Sequence, residues 1–242
     1  MTIIDMEPFS IFTYLTEKFG VLKSLGGPYL DVLTSAFVAL LLTLFAFLAW
    51  RKIRHTETHL LPDGHVTITN LLEIITEAVL RLMSNIMGPQ RARTHLPLIG
   101  SLFIFILVSD LLGVVPGFYP PTENINTNLA CALVVFVYYN YYGIREQGIK
   151  NYFKNMAGPV IWLAPLIFSI EVISHVVRPV SLSVRLMGNM TGDHMVLGIF
   201  SDLVPLFLPI VFMGLAIFIS VMQAFVFTLL SMVYIQMACT SE

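Results

Sequence analysis

Between Asp202 and Glu242 the chain carries no charged residue. That run is longer than the about 20 apolar residues a helix needs to cross the hydrocarbon core of a bilayer. In hydrocarbon the backbone has no water to bond, so only helices and closed barrels can span it. The same pattern recurs earlier. Residues 32–50 and 124–144 are free of charge, and residues 95–115 carry a single acid, Asp110. An ordinary soluble domain is about 25% charged. This 242-residue chain is 12% charged and 57% hydrophobic, with a mean hydropathy of +0.82. Most of its length has no natural place in water. The reading is an all-α polytopic membrane protein with about five membrane-inserted helices and one amphipathic helix.

The first predicted span, 32–50, ends on Arg51, Lys52 and Arg54, and a polar linker follows through Pro62-Asp63-Gly64. Residues 70–87 differ from a span. Leu71, Leu72, Ile75, Val79, Leu82 and Ile86 recur at helical spacing, with Glu73, Glu77, Arg81 and Ser84 between them. That is an amphipathic helix, lying on the membrane or packed between spans. Gly88-Pro89 ends it. Residues 95–115 form the second span, a Pro- and Gly-rich loop follows, and 124–144 form the third. Residues 159–238 are expected to form a long, tilted antiparallel hairpin. Residues 1–30 read as a segment outside the membrane and 31–242 as one membrane domain. The amino terminus opens with Asp5 and Glu7 rather than a basic region, so it reads as part of the mature chain.

Basic residues flanking short loops mark the cytoplasmic side. Arg51, Lys52 and Arg54 follow the first span, Arg91 and Arg93 precede the second, and Arg145, Lys150 and Lys154 follow the third. The loop between the second and third spans has one charge, Glu123. One topology satisfies these: amino terminus and Glu123 loop outside, basic loops and carboxyl terminus inside. A formal net charge of −2 gives no electrostatic footprint for nucleic acid. Cys131 and Cys239 show no metal-type or redox spacing and read as small apolar side chains.

The chemistry lies in residues 159–200. As a straight helix this stretch would be roughly 60 Å long, about twice the hydrocarbon thickness, so it must tilt, kink or run along the membrane. Pro165 and Pro179 favour bending. Its polar residues Glu171, His175, Arg178, Arg185, Asn189 and Asp193 are spaced 4, 3, 7, 4 and 4 apart. At about 100° per residue they fall within roughly 80° of arc, and His194 lies about a quarter turn away. A charge at the centre of a membrane helix costs about 2.5–3.5 kcal/mol even on lenient scales, and such groups normally mark ion pathways. Buried pairs that merely hold helices together are the competing account, which covers Glu171 with His175 four residues on and, separately, Arg178 beside Pro179. It does not cover Arg185, because no acid stands three or four residues away on either side. Its counter-ion must come from another helix or another chain. With the turn near Pro205, Arg185 lies 20 residues before it and Gln223 lies 18 after it. Gln223 is thus expected at the same depth, placed to orient Arg185.

The run from Arg178 to Met190, Arg-Pro-Val-Ser-Leu-Ser-Val-Arg-Leu-Met-Gly-Asn-Met, resembles the signature of subunit a of the F-type ATP synthases. The run from Gln223 to Tyr234 resembles that family's final helix, and Ser109 to Pro116 the end of an earlier span. The likeness covers most of the chain from about Asn70 onward. It implies a proton-translocating stator subunit with two aqueous half-channels that pass protons to and from the carboxylates of a ring of c subunits. Arg185 would face the ring and prevent a short circuit. Glu171, Asn189, Gln223 and Asp110 match polar positions of the proton path, His194 falls where the family carries Glu or His, and the outer half-channel is expected to pass Asp110, Glu171, His175, Asp193 and His194. Two departures stand out. Asp193 occupies a position that is usually small, and Ala216 stands where relatives often place a partner for the residue at 194. His175 and Asp193 are expected to supply those polar atoms. The implied partners are the c ring, b-type peripheral stalk subunits, the rest of the synthase and lipid, with no nucleic acid, cofactor or metal. Nucleotide chemistry would sit on other chains. The implied location is a bacterial plasma (inner) membrane, with an organelle energy-transducing membrane as the alternative.

Three other classes compete with this reading. A secondary transporter would be expected to show inverted repeats and helices broken at mid-membrane, and no repeat is visible. A membrane enzyme would need a nucleophile–base pair or a phosphate loop, and neither is visible. A scaffold without ion chemistry leaves the polar stripe unexplained.

Overall fold

The computed structural model describes residues 30–54, 68–115, 120–152, 163–203 and 207–239. The predicted outer segment at 1–30, the linker at Pro62-Asp63-Gly64, most of the loop after Val115, and Pro205 lie outside these residues, Leu30 excepted. Among the described residues six long helices carry the fold: α1 Leu30–Arg54, α2 Ile68–Met87, α3 Pro89–Val114, α4 Ile125–Gln147, α5 Ala164–Leu203 and α6 Phe207–Cys239. A single 3-10 turn, Pro121–Glu123, precedes α4. No strand occurs among the described residues.

The boundaries follow local chemistry. α2 stops at Gly88, whose φ of +80° suits only glycine, and Pro89 starts α3 at once. Proline is well placed there, because the first N–H of a helix has no partner anyway. α3 therefore begins six residues before the expected His95, and Arg91 and Arg93 fall inside its first turns. Asn124 caps α4 by accepting a 2.8 Å hydrogen bond from the N–H of Asn126, and Gly148, with φ +78°, ends it. α5 starts at Ala164, runs through Pro179 and ends at Leu203, 40 residues in all, so Asp202 is helical rather than part of a connecting loop. At 1.5 Å per residue it spans about 60 Å. α6 starts at Phe207, ahead of Pro209.

α3, α5 and α6 contain stretches long and apolar enough to cross a membrane: Pro89–Val114, Ala164–Phe200 and Ile210–Cys239. α1 holds a shorter apolar stretch, Thr34–Phe47. α4, rich in Tyr and Asn, is not among these, although it was read as a span. α2 is amphipathic as expected. It buries Val79, Met83 and Met87 and exposes Glu73, Glu77 and Arg81.

α3 lies between α2 and α6, and α4 packs against α5 and α6. The core is built from Met83, Ile99, Ile106, Tyr139, Leu186 and Phe227. Lipid tails are as apolar as leucine, so dispersion and close approach, more than the hydrophobic effect, hold such helices together. Two glycines allow that approach. A Cβ on Gly143 would sit 2.8 Å from Tyr152 Cε2 and 3.0 Å from the carbonyl oxygen of Ala238. A Cβ on Gly113 would sit 2.9 Å from both Met190 Cε and Pro120 Cγ. Gly143 thus seats α4 on the end of α6, and Gly113 seats the end of α3 on α5.

Candidate functional site

The polar stripe of α5 separates into two clusters with Arg185 between them. The first surrounds Glu171. Its Oε1 lies 3.3 Å from His175 Nε2 and 3.3 Å from Arg178 Nη2. His175 Nδ1 lies 2.9 Å from the hydroxyl of Tyr139 on α4. The Arg178 guanidinium stacks over the ring of Tyr234 on α6, 5.2 Å from its centroid. Three helices therefore hold one acid, one imidazole, one guanidinium and two phenols. Arg178 has a salt partner and a cation–π partner, as a structural ion pair would.

The second cluster sits at the other end of α5. His194 Nδ1 is 2.9 Å from Glu123 Oε2 on the 3-10 turn, and His194 Nε2 is 3.2 Å from the carbonyl oxygen of Gly113. A cavity of about 110 Å³ opens beside it, lined by Gly113, Asp193, His194, Ala216 and Ser220 among others. A water needs only about 10–15 Å³ of such space, so this one admits several. Nearby on α3, Asp110 is 1% exposed. Asp110 Oδ1, Thr122 Oγ1 and Asn128 Oδ1 are buried without hydrogen-bond partners among the described residues. Buried polar atoms of this kind are normally satisfied by protein or ordered water.

Arg185 is exposed and forms no ion pair among the described residues. It lines an open groove of about 630 Å³ with Asn189 and Asp193 of α5 and Met222 and Gln223 of α6. Asp193 lines both this groove and the smaller cavity. Gln223 is buried, 6% exposed, and its Oε1 accepts a 2.7 Å hydrogen bond from Asn189 Nδ2. Gln223 lines the same groove as Arg185, but its hydrogen-bond partner is Asn189, one turn further along α5, and not Arg185. At 1.5 Å per residue, Glu171 lies about 21 Å along the helix axis from Arg185 and His194 about 14 Å on the other side. Among the described residues no three His, Cys, Asp or Glu side chains gather in a way that could hold a metal ion.

The grouping differs from the sequence reading in two ways. Glu171 and His175 do not share a cluster with Asp110, Asp193 and His194. Of the two residues expected to replace the missing partner at Ala216, Asp193 lines the cavity that Ala216 lines, whereas His175 is bonded to Tyr139. Sequence reasoning also missed Glu123 and Tyr139 as members of the clusters. Glu123 had one signal, as the only charge in its loop. Tyr139 had none, since α4 carries several tyrosines.

Comparison with known proteins agrees with the motifs. The profile of the family described as ATP synthase A chain matches residues 32–236. The chain is 46% identical to ATP synthase subunit a 1 of Syntrophotalea carbinolica over 234 residues, 95% of this chain and 96% of the relative. It is 45% identical to ATP synthase subunit a of Trichlorobacter lovleyi over 232 residues, 96% of each chain. It is 42% identical to ATP synthase subunit a of Aliarcobacter butzleri over 225 residues, 93% of each.

Proposed function

The chain belongs to the ATP synthase A chain family, and from that premise we propose that it is the proton-translocating stator subunit of a rotary ATP synthase. The observation that carries this reading is Arg185: an exposed guanidinium without an ion partner among the described residues, set on an apolar helix face between two separate polar clusters. A guanidinium does not deprotonate at working pH. Left unpaired in a membrane it calls for a carboxylate from outside the chain, and a ring of c subunits supplies one.

The mechanism follows from the cost of charge in hydrocarbon. A proton enters from the outer side past Asp110, His194 and Asp193 and neutralises a ring carboxylate. Neutral, that carboxyl can turn into lipid; ionised, it cannot do so cheaply. After rotation it meets the second path, which we assign to Glu171 and His175 rather than to the outer inlet, because they lie on the far side of Arg185. There the guanidinium favours the ionised carboxylate and the proton leaves to the inner side. Arg185 also repels a proton that would pass straight from one path to the other. Asn189 and Gln223 fix the α5–α6 register beside it. Each charge crossing 100 mV releases about 2.3 kcal/mol, so several crossings drive one synthesis event. Nucleotide chemistry falls to other chains, and the b-type stalk subunits hold this one against rotation. Homologous chains in bacteria favour the bacterial plasma membrane.

The test is proton flux through the complex in vesicles, wild type against Arg185→Ala. The variant is expected to lose ATP-driven pumping and synthesis while leaking protons down a gradient. Normal pumping would reduce Arg185 to a packing residue and bring the transporter reading forward.

A further inference from the structure

We infer that Glu123 is a proton-exchange residue of the outer path, forming with His194 a two-residue couple that takes up protons and hands them towards Asp193. The inference rests on the proton-translocating reading above and adds to it a residue from outside the long hairpin.

The geometry of the imidazole carries the argument. A backbone carbonyl only accepts hydrogen bonds, so the 3.2 Å contact to Gly113 requires Nε2 of His194 to carry a hydrogen. That contact pins the tautomer and aims Nδ1 at Glu123 Oε2, 2.9 Å away. Two protonation states then share one set of heavy-atom positions. In one, the imidazolium Nδ1–H donates to the carboxylate. In the other, the carboxylic acid O–H donates to Nδ1 of the neutral ring. Passing between them breaks one O–H bond as one N–H bond forms, with no atom displaced by more than a proton's travel. The carbonyl cannot accept the Nε2 proton at working pH, so onward transfer uses a cavity water in place of Gly113: the Nε2–H bond breaks as an O–H bond forms on that water, Nδ1 keeps the proton received from Glu123, and ring rotation restores the starting tautomer before the next cycle.

The surroundings suit exchange with both sides. Glu123 ends the short turn before α4, in the loop that the charge pattern puts on the outer side. His194 lines the cavity of about 110 Å³, and Asp193 lines both that cavity and the groove of Arg185. The cavity admits water, which gives the imidazolium a route to Asp193, and Asp193 borders the space a ring carboxylate would enter. α6 offers no ionisable partner for His194 here, because the cavity-lining residues it contributes include Ala216 and Ser220 but no charge. The ionisable groups around the couple are therefore Asp193 on α5 itself and Asp110 on α3. Two backbone features hold the couple in place. Gly113 lets the end of α3 close on α5, and Asn124, the next residue after Glu123, caps α4.

The experiment uses the assembled complex in vesicles, with complex yield checked for every variant. Proton flux through the membrane sector is compared for wild type, Glu123→Gln, Glu123→Asp and Arg185→Ala. Removing a positioned proton-transfer group costs on the order of a hundredfold in many systems. Glu123→Gln is expected to lose most of its flux, at least about tenfold, because the amide cannot exchange a proton with Nδ1. Glu123→Asp keeps the carboxylate and is expected to recover a large part of it. Wild-type flux in Glu123→Gln would overturn the inference, and so would equal losses in the Gln and Asp variants, which would make Glu123 a packing element. The proton-translocating reading fails separately, if Arg185→Ala pumps normally.

Discussion

Asn189 and Gln223 show how unequal two partners of one hydrogen bond can be. Asn189 is exposed and Gln223 is buried, so removing either leaves a different remainder. Asn189→Leu strands the buried Gln223 amide, at a cost of about 1–3 kcal/mol. Gln223→Leu strands only an amide that the groove can hydrate. The Asn189 variant is therefore expected to show the larger drop in melting temperature of the detergent-solubilised complex, a few degrees at about 2–4 °C per kcal/mol. The reverse ranking would mean that Gln223 has another partner. Arg178 invites a second comparison at this scale. It pairs with Glu171 and stacks on Tyr234, and lysine reproduces the charge but neither the planar fork nor the stack. Arg178→Lys is expected to cut ATP-driven proton pumping several-fold while the complex still assembles; undiminished pumping would show that charge alone suffices there.

Among the elements, α4 is the one whose role the chain conceals most. Its sequence reads as a plain span, yet it is not apolar enough to rank with α3, α5 and α6, and it delivers Tyr139 to His175. Its seat depends on Gly143. A larger residue there meets the Tyr152 ring and the backbone of Ala238, and backbone yields less than a side chain. Gly143→Val is expected to destabilise the complex by about 1–3 kcal/mol, the usual range for overpacking. Gly113→Val is expected to cost about as much, because the flexible Met190 side chain can yield but the rigid Pro120 ring at the same distance cannot. Thermal unfolding of the two variants compares them. α5 depends on a different device. Pro179 has no N–H to give the carbonyl of His175, yet the 40-residue helix continues to Leu203 and carries residues of both clusters.

At the scale of the molecule, the long hairpin turns apolar side chains outward. Val176, Val180 and Val184 of α5 and Phe218, Val221 and Met222 of α6 are exposed, and Arg185 opens among them. A surface of this kind faces lipid or a partner. A cysteine at Val184 or Phe218 is expected to cross-link to a cysteine-bearing c subunit in the assembled synthase, whereas one at Met83, fully buried against α3, is not. Cross-links from Met83 but not from Val184 would place the ring on the wrong side of the proposal.

The sequence alone determined the helical class, the long hairpin, the polar stripe and Arg185 as a charge without a partner on its own helix. Each of these is local. Helical periodicity and the cost of charge in hydrocarbon act within one segment, so they can be read along it. What the tertiary structure decided is which groups meet. The register of α5 against α6 gave Gln223 to Asn189. The approach of α4 gave Tyr139 to His175. The end of α3 and the turn after it gave Gly113 and Glu123 to His194. Those contacts join residues 34, 36, 81 and 71 positions apart. No period or spacing links them, because they are fixed by how closely helix backbones approach and by which buried polar atoms must find partners.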